Sequence, residues 1–520
     1  MSAVVTDQFR ILNASNFVDS VTDSTNAYYV FLGLTNPTQV GFGRTTDWDT
    51  DPPAPVDNLN YLSHYHDTSI FGKRVTSSNI RRIIRKNEWT SNTKYEMYRH
   101  DYSISNRSPL TDSSRLYDTN YYVLNSDYRV YICIDNGSSG TNPFINGSLD
   151  EPKFTDVEPK PAGESGDGYL WKYLFTVSPS DVIKFDSTDY VVVPSNWNKS
   201  ISEIQALGED EIVRVKTNGD STTSNNQIKK VYIENGGSSY STGTCNILGD
   251  GTGGTVLVET ENNVIVSTTV VTGGSGYTYG IVDLGPIQPS ILDNPAKLIP
   301  IIPPSKGHGY DLYSELGTDK VLIYARFDDS TKDFPTDTSF SQIGILKNPT
   351  TYGSNDIFKD NQYSSLYSMK LSSGTPTIGQ EITQSVPGIG TARGYVASYD
   401  SETKVLKYYR DRSLFFGFTG NSDQTDYDDV SNDSKVLSFS SSGESIGNFS
   451  GSIDTSLGNA TPTNKVTVGN KVIDLGVTFT NGLANPEINK SSGDIIYIDN
   501  RPLVSRNSRQ KEDIKIILEF

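Results

Sequence analysis

The chain has 520 residues, 62 acidic against 44 basic side chains, and a formal charge of −18 at neutral pH. That charge argues against nucleic acid or an anionic membrane as the main partner, because both reward lysine and arginine through counterion release or surface potential. The length exceeds what one core fills, so roughly two to four domains are expected. With 31 Tyr, 20 Phe and 44 Gly against 3 Met and 4 His, and turn residues interrupting short alternating runs, the composition favours antiparallel β structure over helix.

The opening MSAVVTDQFRILNAS lacks a basic region followed by an apolar stretch. No run approaches the ~18 apolar residues a membrane helix needs, so synthesis as a soluble cytosolic protein is expected. Tyr28–Leu32 reads as a strand, and GFGRTTDWDTDPPAP (41–55) as an irregular, ordered loop enforced by glycine and proline. Residues 76–86 read as a helix capped by Thr76 or Ser77, with Ile80, Ile83 and Ile84 at i, i+3 and i+4. Arg81, Arg82, Arg85 and Lys86 then point outward as the one basic patch, either a solvated face or a contact for an acidic protein surface. Cys133 and Cys245 are too few and too distant for a disulfide framework, which implies a reducing compartment.

The most strongly patterned stretch is GDGYLWKYLFTVSPSDVIKFDSTDYVVVP, residues 166–194. After a Gly166-Asp167-Gly168 turn, Trp171, Tyr173, Phe175 and Val177 alternate with Leu170, Lys172, Leu174 and Thr176, so one face is aromatic. The β-branched run Tyr190–Val193 is stopped by Pro194, which cannot donate to a ladder. Further on, VYIENGGSSYSTG returns as TVVTGGSGYTYG, with Gly236-Gly237 and Tyr240 matching Gly273-Gly274 and Tyr277. This predicts a two-repeat β unit whose tyrosines pin tight turns. Between 351 and 485, IGQEITQ, ARGYVASYD and KVLKYYR read as three strands, with the turn Asp400-Ser401-Glu402 joining the last two. At the C-terminal side, Ile514, Ile516, Leu518 and Phe520 alternate with Lys515, Ile517 and Glu519 as a strand with one buried face.

Signals for chemistry are weak. GDGTGG (249–254) fits the dinucleotide fingerprint, but TVLVETE after it reads as strand, with no helix dipole for a pyrophosphate. GESIG (443–447) fits a nucleophile elbow, yet all four histidines precede Ser445, the reverse of the hydrolase order. His64-Tyr65-His66-Asp67 would put two imidazoles on one strand face for zinc, with no further ligand set to complete it. Asp47, Asp49 and Asp51 lack the glycine and distal glutamate of a calcium loop. The expectation is therefore no enzyme, and no catalytic, cofactor or metal residue. The tyrosines raise the rival reading of a glycan-binding or host-surface adhesion protein, which would need exposed aromatics grouped together.

Three segments together resemble the baseplate wedge protein of contractile-tailed phages known in T-even-type phages as gene product eight. They are EPKPAGESGDGYLWKYLFTVSPSDVIKFDSTDYVVVP (158–194), SFSQIGILKNPTTY (339–352) and GDIIYIDNRPLVSRNSRQKEDIKIILEF (493–520). Weaker echoes are FLGLTNPTQVGFGRTTDWDTDPPAP near the start, IIRKNEW (83–89) and RVYICIDNG (129–137). The resemblance implies a two-domain, mostly β protein with the second domain inserted in the first, and together with the residue patterns the expected fold is mainly β, a multi-domain antiparallel β-sandwich architecture with an inserted domain, few short helices and extra small β modules. The expected division is 1–89 for the first part of a core domain, 90–199 for a β-rich domain inserted in it, and 200–295 for the glycine-rich two-repeat insertion, which like the second insertion below departs from the compact family pattern. It continues with 296–350 for more of the core, 351–485 for a second, small-barrel-like insertion, and 486–520 for strands closing the core. The resemblance also implies a structural subunit of the virion tail baseplate, assembled in the host cytoplasm, that binds other wedge subunits and forms a homodimer in isolation, without cofactor, nucleic acid or membrane.

Overall fold

The computed structural model describes residues 6–35, 48–140, 142, 146–220, 227–288, 294–328, 338–386, 390–410, 439–441, 445–506 and 510–520. The chain is mainly β, with antiparallel sheets and short helices. It divides into two compact units, one of Met1–Phe17, Arg81–Leu322 and Ile517–Phe520, the other of Val18–Ile80 and Ile323–Ile516.

In the first unit, Tyr122–Leu124, Arg129–Asp135 and Leu170–Thr176 form a three-stranded sheet. The turn before the aromatic strand has Gly166 and Gly168 at φ of 69° and 92°. Asp167 ties it down, Oδ1 accepting from the Tyr169 N–H at 3.0 Å and Oδ2 from that of Leu149 at 2.8 Å. Trp171 pairs with Cys133 and Tyr173 with Tyr131 across the sheet. Tyr169 stacks on the Trp171 ring at 5.7 Å and Tyr95 meets it edge-on at 5.6 Å, geometries that add to the burial of these rings. Beyond it, Ser178 caps the helix Pro179–Phe185, and Tyr190–Val193 runs antiparallel to Ile80–Arg85.

The aromatic face forms as the alternation predicts, but the opposite face is buried too. Leu174 is fully buried, and Lys172 is 1% exposed with its ammonium donating to the Val157 carbonyl. Burial, the largest cause, lowers the Lys172 pKa from 10.5 to about 8. Between those values the unfolded chain holds a proton the folded chain has released, so this site's contribution to stability rises from pH 8 to 10.5. Below pH 8 the folded protein carries a buried ammonium at a cost of about 3 kcal/mol, at about 1.4 kcal/mol per pKa unit. Replacing it by methionine leaves the Val157 carbonyl without its donor, which offsets about 1 kcal/mol of the gain. Lys172→Met is thus expected to be the more stable protein at pH 7 by about 2 kcal/mol, with the gap closing toward pH 10. Urea unfolding across that range tests this, and a variant that is weaker, or whose advantage ignores pH, contradicts it.

The repeat lies in the same unit. Val264–Ser275, Thr252–Glu261, Gly243–Gly249 and Gly280–Val282 form a four-stranded sheet in that order, and Val231–Asn235 pairs with Lys297–Pro300. One apolar cluster runs from Ile228 to Ile302. In both copies the second glycine has positive φ, Gly237 at 63° and Gly274 at 64°, and a Cβ there would come within 2.6 Å of the ring of Tyr240 or Tyr277. The hydroxyls complete each turn, Tyr240 accepting from the Ala296 N–H at 2.9 Å and Tyr277 donating to the Ile247 carbonyl at 2.8 Å.

The second unit holds a five-stranded sheet in the order Gln362–Ser364, Ser69–Val75, Tyr28–Gly33, Ser339–Lys347, Asp494–Ser505. The family-like segments 339–352 and 493–520 are thus neighbours here, with Ile345 opposite Tyr497. A further sheet strings Glu381–Val386, Gly390–Asp400 and Val405–Tyr409 together antiparallel, joined to Tyr367–Ser373, over a core that includes Met369, Ile382, Val396 and Leu406. Of the loop 41–55, residues 41–47 lie outside the described residues, while Trp48 is buried and donates from Nε1 to the Arg501 carbonyl at 2.8 Å. The strand Glu512–Glu519 buries Ile514 and Ile516 and exposes Asp513, Lys515 and Ile517.

Candidate functional site

The basic stretch is not a helix. Residues 77–79 form a turn and Ile80–Arg85 a strand, paired Arg82 to Val193 and Ile84 to Val191. Isoleucine loses rotamer freedom in a helix and packs well on a pleated surface, and the valine run supplies the partner strand. The outward patch therefore breaks up. Arg81 bonds Asp181, with Nη2 3.0 Å from Oδ1, and Arg82 is 5% exposed with its guanidinium 3.7 Å from the centre of the Tyr313 ring. Lys86 bonds Asp186 at 3.1 Å and Glu88 at 3.2 Å. Arg85 alone of the four is exposed.

Arg85 lines a groove of about 180 Å³ in the first unit. Asp7, Arg10 and Ile11, at i, i+3 and i+4, come from one face of the helix Asp7–Thr22, and Ile83 and Ile84 from the strand. Arg115, Tyr117, Asp118 and Tyr122, then Leu316, Gly317, Asp319 and Lys320, and finally Glu519 complete the wall. Two hydroxyls brace it, Tyr117 donating to the Ser314 carbonyl at 2.7 Å and Tyr122 to that of Arg85 at 2.8 Å.

Each carboxylate in the groove has a cation. Arg115 bonds Asp7 and lies 3.6 Å from Asp118, and Lys320 sits 3.0 Å from both Asp319 and Glu519. Burial by itself would lower Lys320, but its bonds to Glu519 and Asp319 outweigh that and raise it, and Arg115 is raised against burial in the same way by Asp7. Arg115 and Lys320 thus each serve two carboxylates, and Arg10 and Arg85 bring the wall to four cations against four carboxylates. Arg85 spends Nη2 on the Tyr117 carbonyl at 2.8 Å, and the half-buried Arg10 has no ion pair or side-chain hydrogen bond among the described residues. Five separate stretches of chain meet here, so no sequence window contains the groove. Among its residues the sequence reading singled out only Arg85 as a contact candidate.

The other candidates are not brought together. His64 and His66 lie on the helix Leu59–Thr68, not on a strand, and residues two apart on a helix face different ways. Asp47 is outside the described residues, and Asp49 accepts from the Leu503 N–H at 2.8 Å. Among the described residues no group of three or more His, Cys, Asp or Glu could hold a metal, and no helix is long and apolar enough to cross a membrane. Gly249–Gly254 leads into the strand Thr252–Glu261. Residues 443–444 lie outside the described residues, and after Ser445 the chain makes bridges at Ile446 and Gly447. Cys133 and Cys245 are free and buried. Among the described residues the exposed aromatics Phe9, Tyr128, Tyr279 and Tyr352 come from four separate segments.

The family described as "Phage-Gp8: Bacteriophage T4, Gp8" matches residues 147–234, which hold the aromatic strand, the helix Pro179–Phe185 and the strand Tyr190–Val193. The chain is similar to the baseplate wedge protein gp8 of Enterobacteria phage T4, 23% identical over 229 residues, covering 39% of this chain and 63% of that protein.

Proposed function

We propose that this protein, a chain similar to a phage baseplate wedge protein, is a structural subunit of a contractile-tail baseplate wedge and works by binding neighbouring wedge proteins. What carries the reading is the similarity to the T4 protein, whose matched stretch contains the aromatic core strand. Such a subunit needs stable shape and contact surface, and the sheets of both units, with aromatic side chains buried in quantity, fit that need. The charge of −18 fits protein partners better than nucleic acid or an anionic membrane. In this reading the chain performs no catalysis, resides in the virion tail after assembly in the host cytoplasm, and forms a homodimer when isolated. Residues 351–485, and the part of 200–295 beyond the family match at 147–234, are insertions on the compact family frame. Arg85 is the contact residue retained from the basic stretch, since Arg81, Arg82 and Lys86 are engaged within the fold.

Phage lacking this chain test the proposal. Wedges stalled before baseplate completion, and restored when the chain is supplied, are the expected result. Complete tails that fail only to adsorb would assign it to the host surface instead.

A further inference from the structure

We propose that Asn146 is a site of spontaneous covalent modification, deamidating through a cyclic imide to aspartate and isoaspartate, and that the fold directs the reaction to it among the chain's five Asn-Gly pairs. The Gly147 amide nitrogen gives up its proton to solvent and attacks Asn146 Cγ, the Cγ–Nδ2 bond breaks, and ammonia leaves. Water then opens the five-membered ring. Attack at Cγ gives aspartate, and attack at the main-chain carbonyl carbon gives isoaspartate, so asparagine and water become a carboxylate and ammonia with no oxidant or cofactor.

Ring closure requires a side chain free to turn back on the main chain, an amide not held by another acceptor, and a following residue with no Cβ to obstruct the attack. Asn146 meets all three. It is exposed and outside any helix or strand, and among the described residues neither its side chain nor the Gly147 N–H has a hydrogen-bond partner. A Cβ at 147 would lie 2.3 Å from the Asn92 carbonyl carbon, so the packing that demands glycine also creates the labile pair.

The other four pairs are held. Buried Asn136 donates from Nδ2 to the Tyr95 carbonyl at 2.9 Å and accepts at Oδ1 from the Ser138 N–H at 3.1 Å, while the Gly137 N–H donates to Asp135 Oδ1 at 2.9 Å. Asn235 Oδ1 accepts from the Gly237 N–H at 3.0 Å, and the Gly482 N–H donates to the Leu457 carbonyl at 2.8 Å. Asn218-Gly219 lies inside the helix Asp210–Asp220, whose ladder takes up its amides. Each bond that must break first slows closure by up to about tenfold.

The modification alters an anchor of the aromatic strand. The Asn146 carbonyl accepts from the Tyr169 hydroxyl at 3.0 Å, and the Ser148 N–H donates to the Thr93 carbonyl at 2.8 Å. In isoaspartate the carbonyl that Tyr169 uses becomes a free carboxylate, and the main chain gains a carbon just before Ser148.

The test incubates the purified full chain in mildly alkaline buffer and reads every Asn-Gly site by peptide mass spectrometry, with the urea-unfolded chain as comparison. In the folded chain Asn146 is expected to convert about tenfold or more faster than any other pair, yielding aspartyl and isoaspartyl peptides and accelerating as pH rises. In urea, where every pair keeps its glycine but loses its bonds, the rates should converge. Asn146→Gln, which would have to close a six-membered ring, should give no product at this site and keep its thermal midpoint, since the asparagine side chain has no partner among the described residues to lose. Equal rates across the folded chain, or earlier conversion at another pair, overturn the proposal. A preference for Asn146 that persists undiminished in urea overturns the fold as its cause.

Discussion

A chain lacking residues 512–520 is expected to be expressed but not to fold, appearing as aggregate or as a species without near-ultraviolet circular dichroism. The strand Glu512–Glu519 buries Ile514 and Ile516, at 8% and 5% exposure. Full burial of such side chains contributes about 1.5–3 kcal/mol each. With them go the bonds of Asp513 to Arg326 and Tyr324 in one unit and of Glu519 to Lys320 in the other. The sum approaches the ~5–15 kcal/mol by which whole domains are stable. On the exposed side of the same strand, Lys515→Ser should change stability by no more than about 0.5 kcal/mol. Gel filtration and thermal unfolding decide the matter, and a truncated monomer that melts cooperatively near the full-length midpoint would refute the buried-strand account.

Glu315→Ala is expected to cost about 2–6 kcal/mol, because two buried polar groups lose their hydrogen-bond partner at about 1–3 kcal/mol each. Glu315 is 3% exposed at the end of the short helix Leu312–Glu315. Its Oε1 lies 2.6 Å from His308 Nδ1, and Oε2 accepts from the Gly309 N–H at 2.7 Å. The loop so held anchors more of the unit. Trp197 donates from Nε1 to the Gly309 carbonyl at 3.0 Å, and Lys216 donates to the carbonyls of Trp197 and Tyr310 at 2.9 and 2.8 Å. Alanine strands the histidine nitrogen and the glycine amide without water or partner. Glutamine keeps an acceptor for the Gly309 amide and a hydrogen-bonding group beside His308 Nδ1, so Glu315→Gln should lose only about 1–2 kcal/mol. Chemical denaturation of both variants tests the difference, and equal losses would show that side-chain volume, not the paired polar atoms, matters at this position.

The contrast between Leu170–Thr176 and Ile80–Arg85 shows what was legible in the chain. The aromatic strand announced itself because its period is two and a positive-φ turn precedes it. Ile80, Ile83 and Ile84 satisfy a helical spacing equally well, and only the β-branching of all three argued for a strand. Burial on both faces removes the polar and apolar alternation that marks a half-exposed strand, and that is why Arg82 was read as surface. The GGxxY repeat was readable because its glycines and tyrosines act locally, each ring closing the turn a few residues before it. The groove was not, since Arg10, Arg115, Lys320 and Glu519 have no sequence relation to one another.

The interleaving of the two units carries a consequence for biosynthesis. One unit takes both its first seventeen and its last four residues from the two extremes of the chain, and the other includes everything from 323 to 516. Neither is a contiguous product of translation. At about 5–20 residues per second the ribosome needs roughly 25–100 s to make this length, and until the strand Glu512–Glu519 emerges each unit still waits for its part of it. Each unit therefore closes only after most of the other has been made, leaving a long nascent chain that must be kept from its identical neighbours on the same messenger.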